Sequence, residues 1–130
     1  MKKTLLLLLS LILCIGITAC GSSDNSAEPE VTKIEKTVDA VASELGFSEE
    51  KEYKAFEMIG ANDGAGYGDY EIYIYDENSD AYTDVTGSGY DMGFGVIQST
   101  AANSGVVLIY SGDGEADQTI IDNFNAIEFE

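Results

Sequence analysis

Val106-Val107-Leu108-Ile109 is the stretch that most limits how this chain folds. In an extended strand successive side chains point to opposite faces, so four apolar residues in a row leave neither face for water. A strand of this kind belongs in the middle of a sheet that is covered on both sides. The remaining apolar patterns must therefore supply both the neighbouring strands and the covering layers.

Apolar residues recur at 31, 34, 38, 41 and 45 between Val31 and Leu45, the spacing of one helix face. Thr32 with Glu35 has the form of a capping box. Gly46-Phe47 has the form of a left-handed helix end whose next apolar residue folds back on the last turn. Two strand-like runs follow, Tyr53 to Ile59 and Tyr70 to Tyr75, rich in aromatic and β-branched residues, with a loop from Gly60 to Asp69 between them. In the second run Ile72 and Ile74 share one face, expected to turn inward, while Glu71, Tyr73 and Tyr75 share the other.

Residues 78–86 read as a short helix stopped by Gly87. Residues 90–99 and 106–110 predict a second hairpin through the loop 100–105. A final helix is expected from about Glu115 to Ala126, with Asp113 as N-cap and Ile120, Ile121, Phe124 and Ile127 as its apolar stripe. The expected fold is one α+β domain over residues 31–130: a four-stranded antiparallel sheet in the order α-ββ-α-ββ-α, with the helices packed on it. The segment "IYDENSDAYTDV" from Ile74 also aligns with "IYSGDGEADQTI" from Ile109. A duplicated ββα unit produces such an echo, and so does the shared chemistry of two strand-turn-helix junctions.

The N-terminal part has a different character. Lys2-Lys3 precedes an apolar run from Leu5 to Leu13 that continues to Ile17. A comfortable membrane span needs about 20 apolar residues; a basic start, a short apolar stretch and small residues before a cut form the plan of an export signal. The run closes on Ile17-Thr18-Ala19-Cys20, which resembles the lipobox of bacterial lipoproteins. The resemblance implies that residues 1–19 are a lipoprotein signal peptide removed by signal peptidase II, and that the Cys20 sulfur carries a diacylglyceryl group with palmitate-like chains. The partner of this end of the chain is then the lipid bilayer, at the extracytoplasmic face of the cell membrane. Each buried methylene contributes about 0.8 kcal/mol, so two acyl chains hold stably where one holds marginally. Cys14 leaves with the leader, so no internal disulfide is expected. Residues 20–30 are small, polar and acidic, a composition that does not order itself. They read as a lipid-anchored tether reaching at most about 35 Å. In layout the chain resembles the small lipoproteins of Gram-positive bacteria.

Charge narrows the partners. The formal net charge is −18, from 24 acidic and 6 basic residues, and from Ala55 to Glu130 no basic residue occurs. Such a field repels nucleic acid, anionic lipid head groups and phosphate-rich wall polymers, so no nucleic-acid partner is expected. It attracts cations and basic proteins, less as salt rises. The same acidity also serves solubility alone.

Few constellations carry chemistry. The glycine-rich stretch from Asn62 to Asp69 has no following lysine and opens no helix, so it is not a phosphate loop. It reads as a flexible hairpin loop in which Gly64, Gly66 and Gly68 let backbone approach a ligand closely. Asp113, Glu115 and Asp117, and likewise Asp76, Asn78 and Asp80, have the alternate spacing of a calcium loop without its glycine or closing glutamate. Helix-capping turns account for both, and no metal site is expected. With no histidine and the mature cysteine acylated, nucleophile–base pairs and the usual zinc ligands are missing. Neither catalytic residues nor a cofactor are expected.

All eight tyrosines fall between Tyr53 and Tyr110. Tyrosine offers rigid contact area with a polar tip, which binding surfaces favour. Two outcomes are open for Tyr73 and Tyr75: helices cover their face and the rings are core, or they form an exposed surface for a basic protein or a glycan. In the second case the surface is Tyr73, Tyr75 and Glu71 with Gly64, Gly66 and Gly68. The expected function is a non-enzymatic binding module at the cell envelope; the alternative is an acidic inhibitor or decoy for a basic secreted protein such as a lysozyme.

Overall fold

The structure, a computed structural model, describes residues 31–130. The segments expected to be a signal peptide (1–19) and a lipid-anchored tether (20–30), with Cys20, lie outside the described residues. The elements run in the order α1 (Val38–Glu44), β1 (Lys51–Tyr53), a 3-10 turn (Phe56–Ile59), β2 (Asp63–Tyr67), β3 (Tyr70–Ile74), α2 (Asp80–Thr86), β4 (Tyr90–Asp91), β5 (Val96–Ile97), β6 (Ala101–Asn103), β7 (Val106–Tyr110) and α3 (Gln118–Asn125). An antiparallel sheet with three helices is thus present. It has five strands rather than four, in the order β1-β2-β3-β7-β6, and β4 and β5 form a separate two-stranded hairpin.

β7 sits between β3 and β6, and its four apolar residues are buried. Val106 and Leu108 join Ile72, Ala65, Tyr67 and Tyr70 on one face, under Val38 and Val41 of α1 and Phe124 of α3. Val107 and Ile109 join Tyr73 and Tyr75 on the other, under Val85 of α2 and Ile59 of the 3-10 turn. Tyr90, Met92 and Ile97 of the β4–β5 hairpin pack on this second cluster. We call the first the helical face and the second the hairpin face. Full burial of each such apolar side chain stabilises by about 1.5–3 kcal/mol, so β7 is the strand that ties the two layers together.

Three expectations are corrected. The first helix is shorter than residues 31–45: it begins at Val38, where the Thr37 hydroxyl accepts from the Ala40 amide at 3.2 Å. Upstream, Ile34 forms a parallel bridge with Phe129, its amide donating to Glu128 and its carbonyl accepting from Glu130. With Ile34 in that bridge, residues 31–36 are not helical, so the Thr32–Glu35 capping box does not form. The helix end follows the expectation. Gly46 is left-handed at φ 72°, and the Phe47 amide reaches back to the Ala42 carbonyl at 2.9 Å.

The second correction concerns the first hairpin. Residues 53–59 break into β1 and the 3-10 turn, which sets Phe56 and Ile59 one above the other and drops both onto the hairpin face. The glycine-rich stretch expected to be a loop is instead strand β2, paired on both sides: Ala65 faces Tyr53 and Ile72, and Gly64 faces Tyr73. Asp63-Gly64-Ala65-Gly66-Tyr67 does alternate; the positions that face the hairpin side are simply glycines, so the pattern carries no side chains on that face. Gly68-Asp69 makes the two-residue turn, with Gly68 at φ 60°.

Third, residues 90–99 do not pair with β7. β4 and β5 pair with each other, and the partner of β7 is β6, joined through Ser104-Gly105, both at positive φ. Left-handed backbone at both central residues is the signature of a type I′ hairpin turn. The echo between Ile74 and Ile109 is not a structural repeat. β3 and β7 lie antiparallel side by side, yet Ile74 packs on the helical face and Ile109 on the hairpin face. The helices that follow, α2 and α3, also cover opposite faces, so junction chemistry explains the similarity.

Candidate functional site

Tyr73 and Tyr75 do not form an exposed surface. They retain 4% and 3% of their accessibility, because α2, the 3-10 turn and the β4–β5 hairpin close over them. The Tyr73 hydroxyl donates to Glu71 Oε2 at 2.6 Å, and that of Tyr75 to the Ile59 carbonyl at 3.3 Å. Burial, first of all, lifts both phenols above their ordinary range, Tyr75 to about 12, and the Glu71 hydrogen bond adds to the effect at Tyr73. These rings are core with satisfied polar tips.

Glu71 is the most covered carboxylate of this group, and Lys54 compensates it. Lys54 Nζ lies 3.3 Å from Glu71 Oε1 and 3.7 Å from Glu52 Oε2. The lysine stem runs across Gly66, occupying the space where a Cβ would stand, and the Tyr73 ring does the same over Gly64. Gly64 and Gly66 are thus filled from within the domain, and Gly68, in the exposed turn, has the Glu49 side chain beside it. Of the six residues expected to make a surface, the structure brings together Tyr73, Glu71, Gly64 and Gly66 on the hairpin face, with Tyr75 further along the same strand, but as packing.

The other tyrosines behave alike. Tyr67 donates to Asp39, Tyr110 to the Asp113 carbonyl, Tyr70 accepts from the Asp117 amide, and Tyr82 accepts from the Gly105 amide. Phe47 stacks on Tyr70 with ring centroids 5.3 Å apart. Tyrosine enrichment here serves the core; Tyr53, on edge strand β1, is the exception at 75% exposure.

The carboxylate triplets are caps. Asp117 Oδ1 accepts from the Thr119 amide at the start of α3, replacing the expected Asp113, and Asp76 Oδ1 accepts from the Asn78 amide ahead of the Ser79 N-cap of α2. Among the described residues no group of three or more acidic or sulfur ligands is arranged to hold a metal ion. Nor is any described helix long and apolar enough to cross a membrane.

The surface that sequence reasoning missed is the β4–β5 hairpin. Phe94 is 76% exposed and Val96 63%, whereas Met92, Tyr90 and Ile97 turn inward. Period-two spacing would place Tyr90, Met92, Phe94 and Val96 on one side; the turn between Asp91 and Val96 breaks that register and sends Phe94 and Val96 outward, so the run read as one long strand gave no signal of them. Elsewhere the basic residues are largely spent: Lys36 pairs with Glu77 at 2.8 Å, Lys51 with Asp39 at 2.7 Å, and Lys54 as above. The remaining field is strongly acidic. No known family model, curated protein or solved structure matches this chain.

Proposed function

We propose that this chain is a lipid-anchored, extracytoplasmic binding module of the cell envelope, without catalytic activity, that captures a basic partner. The observation that carries the reading is the imbalance of the folded surface: three of the domain's four lysines are already engaged by carboxylates, and from Ala55 onward only acidic charges remain. Such a field concentrates cationic partners and speeds their encounter. The lipobox-like Ile17-Thr18-Ala19-Cys20 supports the anchor. Ile34, where the chain enters the domain, packs on the helical face beside Phe129. An acidic inhibitor or decoy for a basic secreted protein is the narrower form of the same idea.

Capture from envelope extract by the full chain tests it. Stoichiometric retention of a basic protein at low salt, weakening as salt rises, is expected. Retention of nothing, or of acidic proteins alone, counts against the reading.

A further inference from the structure

The β4–β5 hairpin has two unlike faces. On the inner side Tyr90 and Ile97 stand opposite each other and, with Met92, cap the cluster around Tyr75 and Val85. On the outer side Asp91 stands opposite Val96, with Phe94 at the tip. Scattered exposed apolar residues are ordinary. Here two large ones share the outer surface of a four-residue ladder and its loop, beside a carboxylate.

The knob is held in place. The Met92 amide donates to the Gly95 carbonyl at 2.9 Å, and the Gly93 amide to Asp91 Oδ1 at 2.7 Å. At its base the Gly89 amide donates to the Asp84 carbonyl at 2.7 Å, the Ser99 amide to the Val85 carbonyl at 2.9 Å, and Gln98 Nε2 to the Gly87 carbonyl at 2.8 Å. A hairpin backbone already fixed spares the cost of ordering the loop on binding, which favours an anchor residue at its tip. Around the base, Asp84 of α2 is exposed, and from Asp76 to Gln98 the chain contains no basic residue.

We infer that this hairpin is the docking knob of the module, and that its occupant is a basic polypeptide surface carrying apolar side chains between its lysines or arginines. Phe94 and Val96 supply the desolvated centre; Asp91 and Asp84 supply the rim that selects positive charge. The inference rests on the binding-module reading and names its face and the chemistry of its partner. A second copy of the chain meets like charge at this rim. A bilayer would have to strip water from Asp91 to take Phe94 in.

Anisotropy of fluorescent peptides titrated with the full chain in neutral detergent tests this. The probes are an alternating arginine–leucine peptide and a charge-matched arginine–serine peptide. The leucine peptide is expected to bind at least tenfold more tightly, and Phe94→Ser with Val96→Ser to abolish that preference while leaving the weak, salt-sensitive binding of the serine peptide. Near-uniform circular dichroism of variant and wild type shows that both are folded, as the exposure of the two sites predicts. Equal binding of the two peptides, or a preference that survives the double variant, overturns the inference. So does loss of maleimide access to Phe94→Cys when the lipidated chain passes from detergent into neutral phosphatidylcholine vesicles, which assigns the knob to membrane instead. If the double variant still captures the same envelope protein as wild type, the hairpin assignment fails while the binding-module reading stands.

Discussion

Tyr73 stands directly opposite Gly64 across the β2–β3 ladder, and its ring occupies the volume that any Gly64 side chain would need. Gly64→Ala is therefore an overpacking change in a covered layer. It is expected to cost about 1–3 kcal/mol in urea unfolding. Tyr73→Ala in the same chain should relieve the overlap, so the two losses add to less than their sum. Strict additivity contradicts the packing described.

Tyr73→Phe keeps the ring and removes the hydroxyl that donates to Glu71. Glu71 is partly exposed and keeps Lys54, so the loss is expected near the low end for a charge-assisted bond, about 1–2 kcal/mol. A midpoint unchanged within error would show that the bond contributes nothing.

Alkali should expose the same two phenols. Tyr73 and Tyr75 ionise above the ordinary phenol range in the folded state, Tyr75 at about 12, because burial disfavours the phenolate. The unfolded chain loses these protons first, near pH 10, so it binds fewer protons than the folded chain above that point. Stability owed to the two groups is full below about pH 10 and falls as pH rises toward 12. Urea midpoints across this range should drop more steeply for wild type than for Tyr73→Phe with Tyr75→Phe; parallel curves refute the assignment.

Self-repulsion among the acidic residues makes a further prediction. Raising sodium chloride from about 0.02 to 0.5 M shortens the screening length several-fold. The melting temperature should climb by a few degrees, because the domain is crowded with like charge. A flat or falling melting temperature would mean the carboxylates are compensated by contacts other than the four ion pairs of Lys36, Lys51 and Lys54.

Cys20→Ala is expected to leave an uncleaved precursor without attached lipid, seen as a heavier band and no incorporation of labelled palmitate. Lipid labelling that persists in this variant excludes the proposed processing.

Much of the fold was legible because burial on two faces leaves a plain mark. Val106 to Ile109 announced a central covered strand, Gly46-Phe47 a helix end, and Phe124 the inward side of α3, with Ile127 buried just past its end. What misled was side-chain-free alternation. Gly64 and Gly66 look like a loop until Tyr73 and Lys54 are seen to fill the space above them, and that filling comes from residues distant in sequence. The helix expected from Val31 stopped short for a similar reason: Ile34 pairs with Phe129, 95 positions away, and no local pattern reveals it. The candidate surface was half legible. Residues Glu71, Tyr73 and Tyr75 were rightly grouped on one face, but β-strand periodicity says which residues share a side, not which side is covered. The hairpin carrying Phe94 arises from where β4 turns back on β5, which a continuous run from Tyr90 to Ser99 conceals.

Labelling intact producing cells with a membrane-impermeant maleimide tests the central claim, an acylated Cys20 outside the membrane bearing a domain whose hairpin faces the surroundings. Wild type should take no label, since its one mature thiol is blocked. Phe94→Cys should label rapidly without lysis, and Tyr73→Cys should stay unlabelled until the domain is unfolded. Label on wild-type Cys20, or label at position 94 only after the cells are broken, contradicts the account.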